Sequence, residues 1–225
     1  MTQKHRAMIS TYAIGLALFL PFSFVPQAIA FNKPDLLTRR IKPTVIKGES
    51  IDQVLDLLTA EYRIPIGIEL GDSKVTPRRE IDLDLPETNL KDFLESVIAK
   101  DPRYTWKLEG GVIHLWPIKD RDTVIASLLD VKISHFAMLG GTSRYRICND
   151  IMNLPEIRSR LVLADVDPMI FLNFGSMNKL EQGTFFDESN LTLRELLDRI
   201  IIKTDIKRWV LVRWGENGEF ITLRT

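Results

Sequence analysis

Leu90-Lys91-Asp92-Phe93-Leu94-Glu95-Ser96-Val97-Ile98 and Leu193-Arg194-Glu195-Leu196-Leu197-Asp198-Arg199-Ile200-Ile201 are two readings of one pattern. Each places apolar residues at i, i+3, i+4, i+7 and i+8, the spacing of a stripe along one helix face. Trp106 lies 16 positions after Leu90, and Trp209 lies 16 after Leu193. A glycine turn follows in each case, Gly110-Gly111 in the first and Gly215 to Gly218 in the second. Each stretch then closes on a strand pattern, Val112 to Leu115 and Phe220 to Leu223. Both stripes open on a helix-capping residue, Asn89 and Thr192, and Thr192 with Glu195 makes a capping box.

Working outward, Ser50-Ile51-Asp52-Gln53 is another capping box, and Ile51, Val54, Leu55 and Leu58 give the helix after it a buried stripe. Ile64, Ile66 and Ile68 alternate as a strand, and Ile81-Asp82-Leu83-Asp84-Leu85 alternates strictly up to Pro86. Tyr104 to Leu108 and Val112 to Trp116 predict a hairpin across Gly110-Gly111. The second half is expected to run through the same order. Leu128 to Phe136 is its first strand, Thr142 caps a helix through Met152, and Met169 to Phe174 and Thr184 to Phe186 are strands. Residues 154–167 have no counterpart and read as an insertion carrying a short helix. The expected class is α+β: two tandem small units, each a short sheet with two helices packed on one face. They span residues 42–118 and 124–225, with residues 31–41 as a lead-in segment and the charged run Lys119-Asp120-Arg121-Asp122 at the boundary.

The first 30 residues read as a secretion signal. Lys4 and Arg6 precede an apolar run from Ala13 through Val25, and Ala28 and Ala30 supply the small-x-small pattern for cleavage before Phe31. The alternative is an anchor formed by an uncleaved N-terminal helix; after cleavage no transmembrane segment is expected. Removing two of the 30 basic residues leaves 28 against 30 acidic ones, a net charge of −2. That balance argues against nucleic acid as a partner, which needs a concentrated basic face. A single cysteine, Cys148, rules out an intrachain disulfide, so the exported chain relies on its hydrophobic cores. Cys148 lies beside Ile147, Ile151 and Met152 and reads as a buried, inert thiol.

From Ser50 to Leu58, Ile64 to Ile68, Ile81 to Leu85, Asn89 to Ile98, Tyr104 to Leu108 and Val112 to Leu115, the order of elements resembles the short N-terminal domain of secretins and TonB-dependent receptors, the STN domain. The likeness covers the first unit well and the second more loosely. It implies a periplasmic module that docks envelope proteins, such as a secretin, a TonB-dependent receptor or an anti-sigma regulator. STN domains usually precede a barrel or pore. The expectation here is instead a free-standing adaptor, because the sequence ends after the second unit.

No constellation of catalytic, cofactor-binding or metal-ligating residues emerges. A Cys148–His135 dyad is conceivable, but it has no orienting partner or oxyanion donor. Asp82/Asp84 and Asp165/Asp167 read as solvated strand faces, and Gly140-Gly141 lacks the longer phosphate-binding fingerprint. The expected function is non-enzymatic protein–protein interaction. Its candidate contacts are Trp116 and Trp214, together with Phe220 and Thr222 on a last strand expected to be a sheet edge. Two alternatives are a glycan, peptidoglycan or small-ligand binder stacking its ligand on Trp116 or Trp214, and a thiol enzyme acting through Cys148.

Overall fold

The computed structural model describes residues 36–70, 79–169, 180 and 184–225. Strands β1 (Arg40–Ile41) and β2 (Thr44–Glu49) lead into helix α1 (Ile51–Tyr62) and strand β3 (Ile66–Leu70). Then come β4 (Ile81–Leu85), β5 (Thr88–Asn89), helix α2 (Leu90–Lys100) and the hairpin of β6 (Tyr104–Glu109) and β7 (Val112–Pro117). The second half holds α3 (Thr123–Leu129), β8 (Lys132–Leu139), α4 (Arg144–Met152), α5 (Pro155–Leu163) and β9 (Asp167–Pro168). It ends with β10 (Phe185–Thr192), α6 (Leu193–Lys203), β11 (Arg208–Trp214) and β12 (Phe220–Arg224). The fold is α+β.

Local chemistry starts the two striped helices. Asn89 Oδ1 accepts the Asp92 amide at 2.9 Å. Thr192 Oγ1 accepts the Glu195 amide at 3.2 Å while Glu195 Oε2 accepts the Thr192 amide at 2.7 Å. Leu90, Phe93, Leu94 and Val97 are buried on α2, and Leu193, Leu196, Leu197, Ile200 and Ile201 are buried on α6. Helix α2 packs between β4 and β6, and α6 packs between β10 and β11.

The same pairing occurs in both halves. In the first, β6 pairs antiparallel with β7, β7 parallel with β3, and β2 antiparallel with β4. In the second, β11 pairs antiparallel with β12, β12 parallel with β9, and β8 antiparallel with β10. Each half thus contributes three strands to one six-stranded sheet, ordered β6-β7-β3-β11-β12-β9. The halves meet where β3 and β11 run parallel, with Ile66 opposite Arg208 and Val212 opposite Leu70.

These directions relate the two strand sets by a half-turn about an axis lying across the strands. Lateral order is kept, strand direction reverses, and the helices pass to the opposite face. The cores follow this geometry. Ile66, Ile68, Ile113, Leu115 and Val210 point into one cluster with α1 and α2. Trp209, Leu211, Ile221 and Leu223 point into the other, with helices α3 to α6.

Several expectations change. The two stretches do not carry separate sheets, because β3 and β11 bond across the boundary expected at residues 118–123. Nor does the first half carry the single short sheet expected of it, because β4 pairs with β2 in a two-stranded ladder of its own. Thr123–Leu129 is a helix, capped by Asp122 Oδ1, which accepts the Val124 and Ile125 amides at 2.8 and 3.0 Å; the strand expected from Leu128 begins only at Lys132. Ser143, not Thr142, caps α4, because the Thr142 hydroxyl donates to the Leu139 carbonyl. The insertion does carry a helix, α5. Most of the strand expected at Met169 to Phe174 lies outside the described residues, as do Ala28, Ala30 and Phe31 of the expected cleavage site.

Candidate functional site

The joint between β3 and β11 carries the densest set of unusual contacts. Gly67 lies opposite Trp209 across the ladder. A Cβ built on Gly67 would fall inside the Trp209 ring atoms Cζ2 and Cε2, and 2.9 Å from Nε1. Only a glycine lets the indole come this close to the strand, which is the close approach a strand-interior glycine provides. The ring is fixed from the other side as well. Its Nε1 donates to Asp198 Oδ1 at 2.8 Å, and the buried His114 ring stands 5.9 Å from it, with Nε2 3.2 Å from Asp198 Oδ2.

Two positions beyond Gly67, the buried Glu69 carboxylate receives Arg121 Nε at 2.8 Å, Arg121 Nη2 at 2.7 Å and Arg194 Nη2 at 2.9 Å. Arg194 is the second residue of α6. A buried carboxylate needs such pairing, since burying it alone costs several kcal/mol. The joint is therefore held by backbone ladder, by glycine–indole packing and by a charge clamp reaching from α6 to β3.

At one end of the sheet, β6 is paired on one side only among the described residues. Ile118 donates to the Arg103 carbonyl at 2.8 Å, which fixes the alternation of the hairpin ladder. Thr105, Lys107 and Glu109 turn their backbone groups toward β7, and Trp106 and Leu108 turn theirs outward. Across the repeat, Trp106 corresponds to Trp209, Leu108 to Leu211 and Lys91 to Arg194, each pair 103 positions apart. The outward side of β6 is thus the counterpart of the side of β11 that holds β3. Trp106 is half-buried where Trp209 is fully buried, and among the described residues Lys91 forms an ion pair only with Glu95 on its own helix, at 3.7 Å.

The contacts expected from sequence fall elsewhere. Phe220 and Thr222 are not on an open edge: β12 lies between β11 and β9, and Thr222 is fully buried. Chain order suggested an edge, but β9 pairs alongside. Trp214 donates to Thr222 Oγ1 at 3.0 Å and packs on Phe220 with ring centres 4.8 Å apart. Trp116 lies under the Arg121 guanidinium at 5.8 Å. By strand alternation the two tryptophans sit on opposite faces of the sheet, so they make no common stacking surface.

The other reactive groups have structural partners. Cys148 is buried, its Sγ lies 3.5 Å from Thr225 Oγ1, and burial pushes its pKa up to about 11, the reverse of what an attacking thiolate needs. His135 meets Asp187 at 2.9 Å on the β8–β10 ladder. Asp82 accepts the Gly48 amide at 2.8 Å, and the Gly141 amide donates to Leu180 rather than to an anion. A cleft of about 380 Å³ gathers Arg63, Arg144, Lys207 and Arg208 beside Asp56 and Asp205. Arg208 pairs with Asp56 and Arg144 with Asp205, and Lys207 donates to the Ile201 and Thr204 carbonyls while burial lowers its pKa.

Among the described residues there is no cluster of three or more metal-ligating side chains, and no helix is long and apolar enough to cross a membrane. No known family, curated protein or solved structure matches the chain.

The sequence contained a signal for the joint. Gly67 interrupts an apolar strand, and Glu69 follows it in a segment otherwise suited to burial on both faces.

Proposed function

We propose that this chain is a non-enzymatic protein–protein interaction or adaptor module of the bacterial envelope, exported by residues 1–30 and acting in the periplasm. The observation that carries the reading is the repeated strand–helix framework with β6 at one end of its sheet, paired on one side only among the described residues, whose counterpart β11 already serves as a pairing edge. The resemblance of residues 50–115 to the STN domain, read from the sequence, points the same way. Its partners are envelope proteins of the secretin, TonB-dependent receptor or anti-sigma class. Binding works by strand addition, in which main-chain hydrogen bonds give affinity and side-chain pockets give selectivity. The partners assigned to Cys148, His135 and Glu69 support a structural use of these groups.

The test is affinity capture from envelope extract on the immobilised mature chain, with cell fractionation of the native protein. Recovery of a defined envelope protein together with periplasmic location is expected. A strictly monodisperse chain that captures nothing at low salt, or a cytoplasmic location, would overturn the proposal.

A further inference from the structure

The internal joint shows what the β11 edge accepts. In it, β11 receives a parallel strand of sequence Ile66-Gly67-Ile68-Glu69-Leu70. The glycine takes the indole of Trp209, and the carboxylate two positions later takes Arg194 from the first turn of α6. At the other end of the same sheet, β6 presents Trp106 and Leu108 with outward backbone groups, and Lys91 stands in the first turn of α2. The half-turn that relates the halves carries Trp209, Leu211 and Arg194 onto Trp106, Leu108 and Lys91, with the outward backbone groups corresponding; Arg121, which also holds Glu69, has no counterpart among the described residues.

We infer that β6 is the docking edge for an extended segment of another protein. That segment adds parallel to β6 and carries an apolar-Gly-apolar-acidic-apolar pattern, with its glycine under Trp106 and its carboxylate on Lys91. This inference deepens the interaction-module reading above and rests on it. A second copy of the chain is a poor donor. Its own Gly67 strand is enclosed between β7 and β11, and Pro168 of the opposite edge strand β9 has no amide to give. From Pro168 to Phe174 the sequence offers neither a glycine nor an acidic residue.

The test uses the mature chain and a synthetic peptide copying residues 64–70, Ile-Pro-Ile-Gly-Ile-Glu-Leu, followed by amide hydrogen exchange. At about ten times its dissociation constant the peptide should slow exchange at Trp106 and Leu108 about tenfold. The same peptide with Gly67→Val should give no protection, and Lys91→Glu in the protein should weaken binding about three- to tenfold. Leu108→Pro removes one outward amide and should abolish protection at the edge; because proline in a strand can disturb folding, Lys91→Glu serves as the second variant. Absence of protection with the unmodified peptide would overturn the inference, as would equal protection by the valine peptide. Protection that appears with protein concentration alone assigns the edge to a second copy and overturns it too. Envelope partners that are captured equally by wild type and Lys91→Glu, with no peptide effect, would sink this docking edge while leaving the module reading intact.

Discussion

Gly67→Ala should destabilise this protein, although the backbone alone predicts the opposite sign. Gly67 does not have the positive φ that marks a glycine-only conformation. At such a position, alanine ordinarily stabilises by about 0.4–1 kcal/mol by restricting the unfolded chain. Here the added methyl meets Trp209 Cζ2 and Cε2, and the indole has no room to retreat: the side chain is fully buried and its Nε1 is tied to Asp198 at 2.8 Å. Overpacking of this kind costs about 1–3 kcal/mol, and the rigid ring and central strand argue for the upper part of that range. Less the backbone gain, the net loss is about 2 kcal/mol. For a unit spanning Phe31–Thr225 that corresponds to a fall in Tm of about 4–8 °C. The assay is thermal unfolding followed by circular dichroism, with Trp209→Phe and the double variant measured alongside. Phenylalanine lacks the atoms that clash, so the double variant should be more stable than the two single losses summed, by at least about 1 kcal/mol. A Tm for Gly67→Ala equal to or above wild type, or strict additivity in the cycle, would refute the glycine–indole account of the joint.

Glu69→Ala leaves Arg194 and Arg121 without their buried acceptor; because both guanidinium groups are partly exposed, a loss of about 2 kcal/mol in urea unfolding is expected, and a loss below about 0.5 kcal/mol would contradict the clamp. Cys148 should resist alkylation until the chain is denatured. Because burial raises the folded-state pKa from 9.0 to about 11, its contribution is fully present below pH 9 and is lost as pH rises from 9 to 11; that decline, of order 2 kcal/mol, should be missing in Cys148→Ala. Leu94→Asp and Leu197→Asp each place an unpaired carboxylate in one of the two cores at a cost of several kcal/mol. Since the sheet is shared, each variant should lower one transition common to both halves; a variant that melts one half and leaves the other at the wild-type temperature would contradict the shared sheet.

The parts that were legible in the sequence are those fixed by neighbours along the chain. The stripes of α2 and α6, the caps at Asn89 and Thr192 and the Gly110-Gly111 turn are decided within a few residues, and the structure has them where the pattern predicts. Helix α3 was hidden because Asp122, its cap, closes a charged run that reads as a linker, and Leu128-Leu129 reads equally well as the start of a strand. Sheet order was not legible. Ile66 and Arg208 are opposite each other across 142 positions of chain, and alternation records which face a residue takes without recording which strand lies beside it. The expected edge at Phe220 failed for this reason: its second neighbour, β9, is the counterpart of β3, but it is only two residues long and starts at the end of the stretch read as an insertion.

The two tryptophans of the repeat measure what the joint does. Trp209 and Trp106 occupy the same place in strands of the same pairing, each facing the helices of its own half. Trp209 is fully buried because β3 runs alongside it and contributes a glycine; Trp106 is half-buried because nothing among the described residues runs alongside β6. The difference in burial is therefore a property of the neighbouring strand rather than of the tryptophan or its helix. Tryptophan is enriched among the few interface residues that dominate binding energy once they are desolvated. The half-turn adds a constraint on direction. Because it reverses the strands while keeping their order, a segment that copies the joint at β6 must run parallel to β6 and bring its glycine and carboxylate to the face covered by α1 and α2. An antiparallel partner would pair with the same outward amides, but it would not reproduce the spacing that sets Gly67 under Trp209 and Glu69 against Arg194.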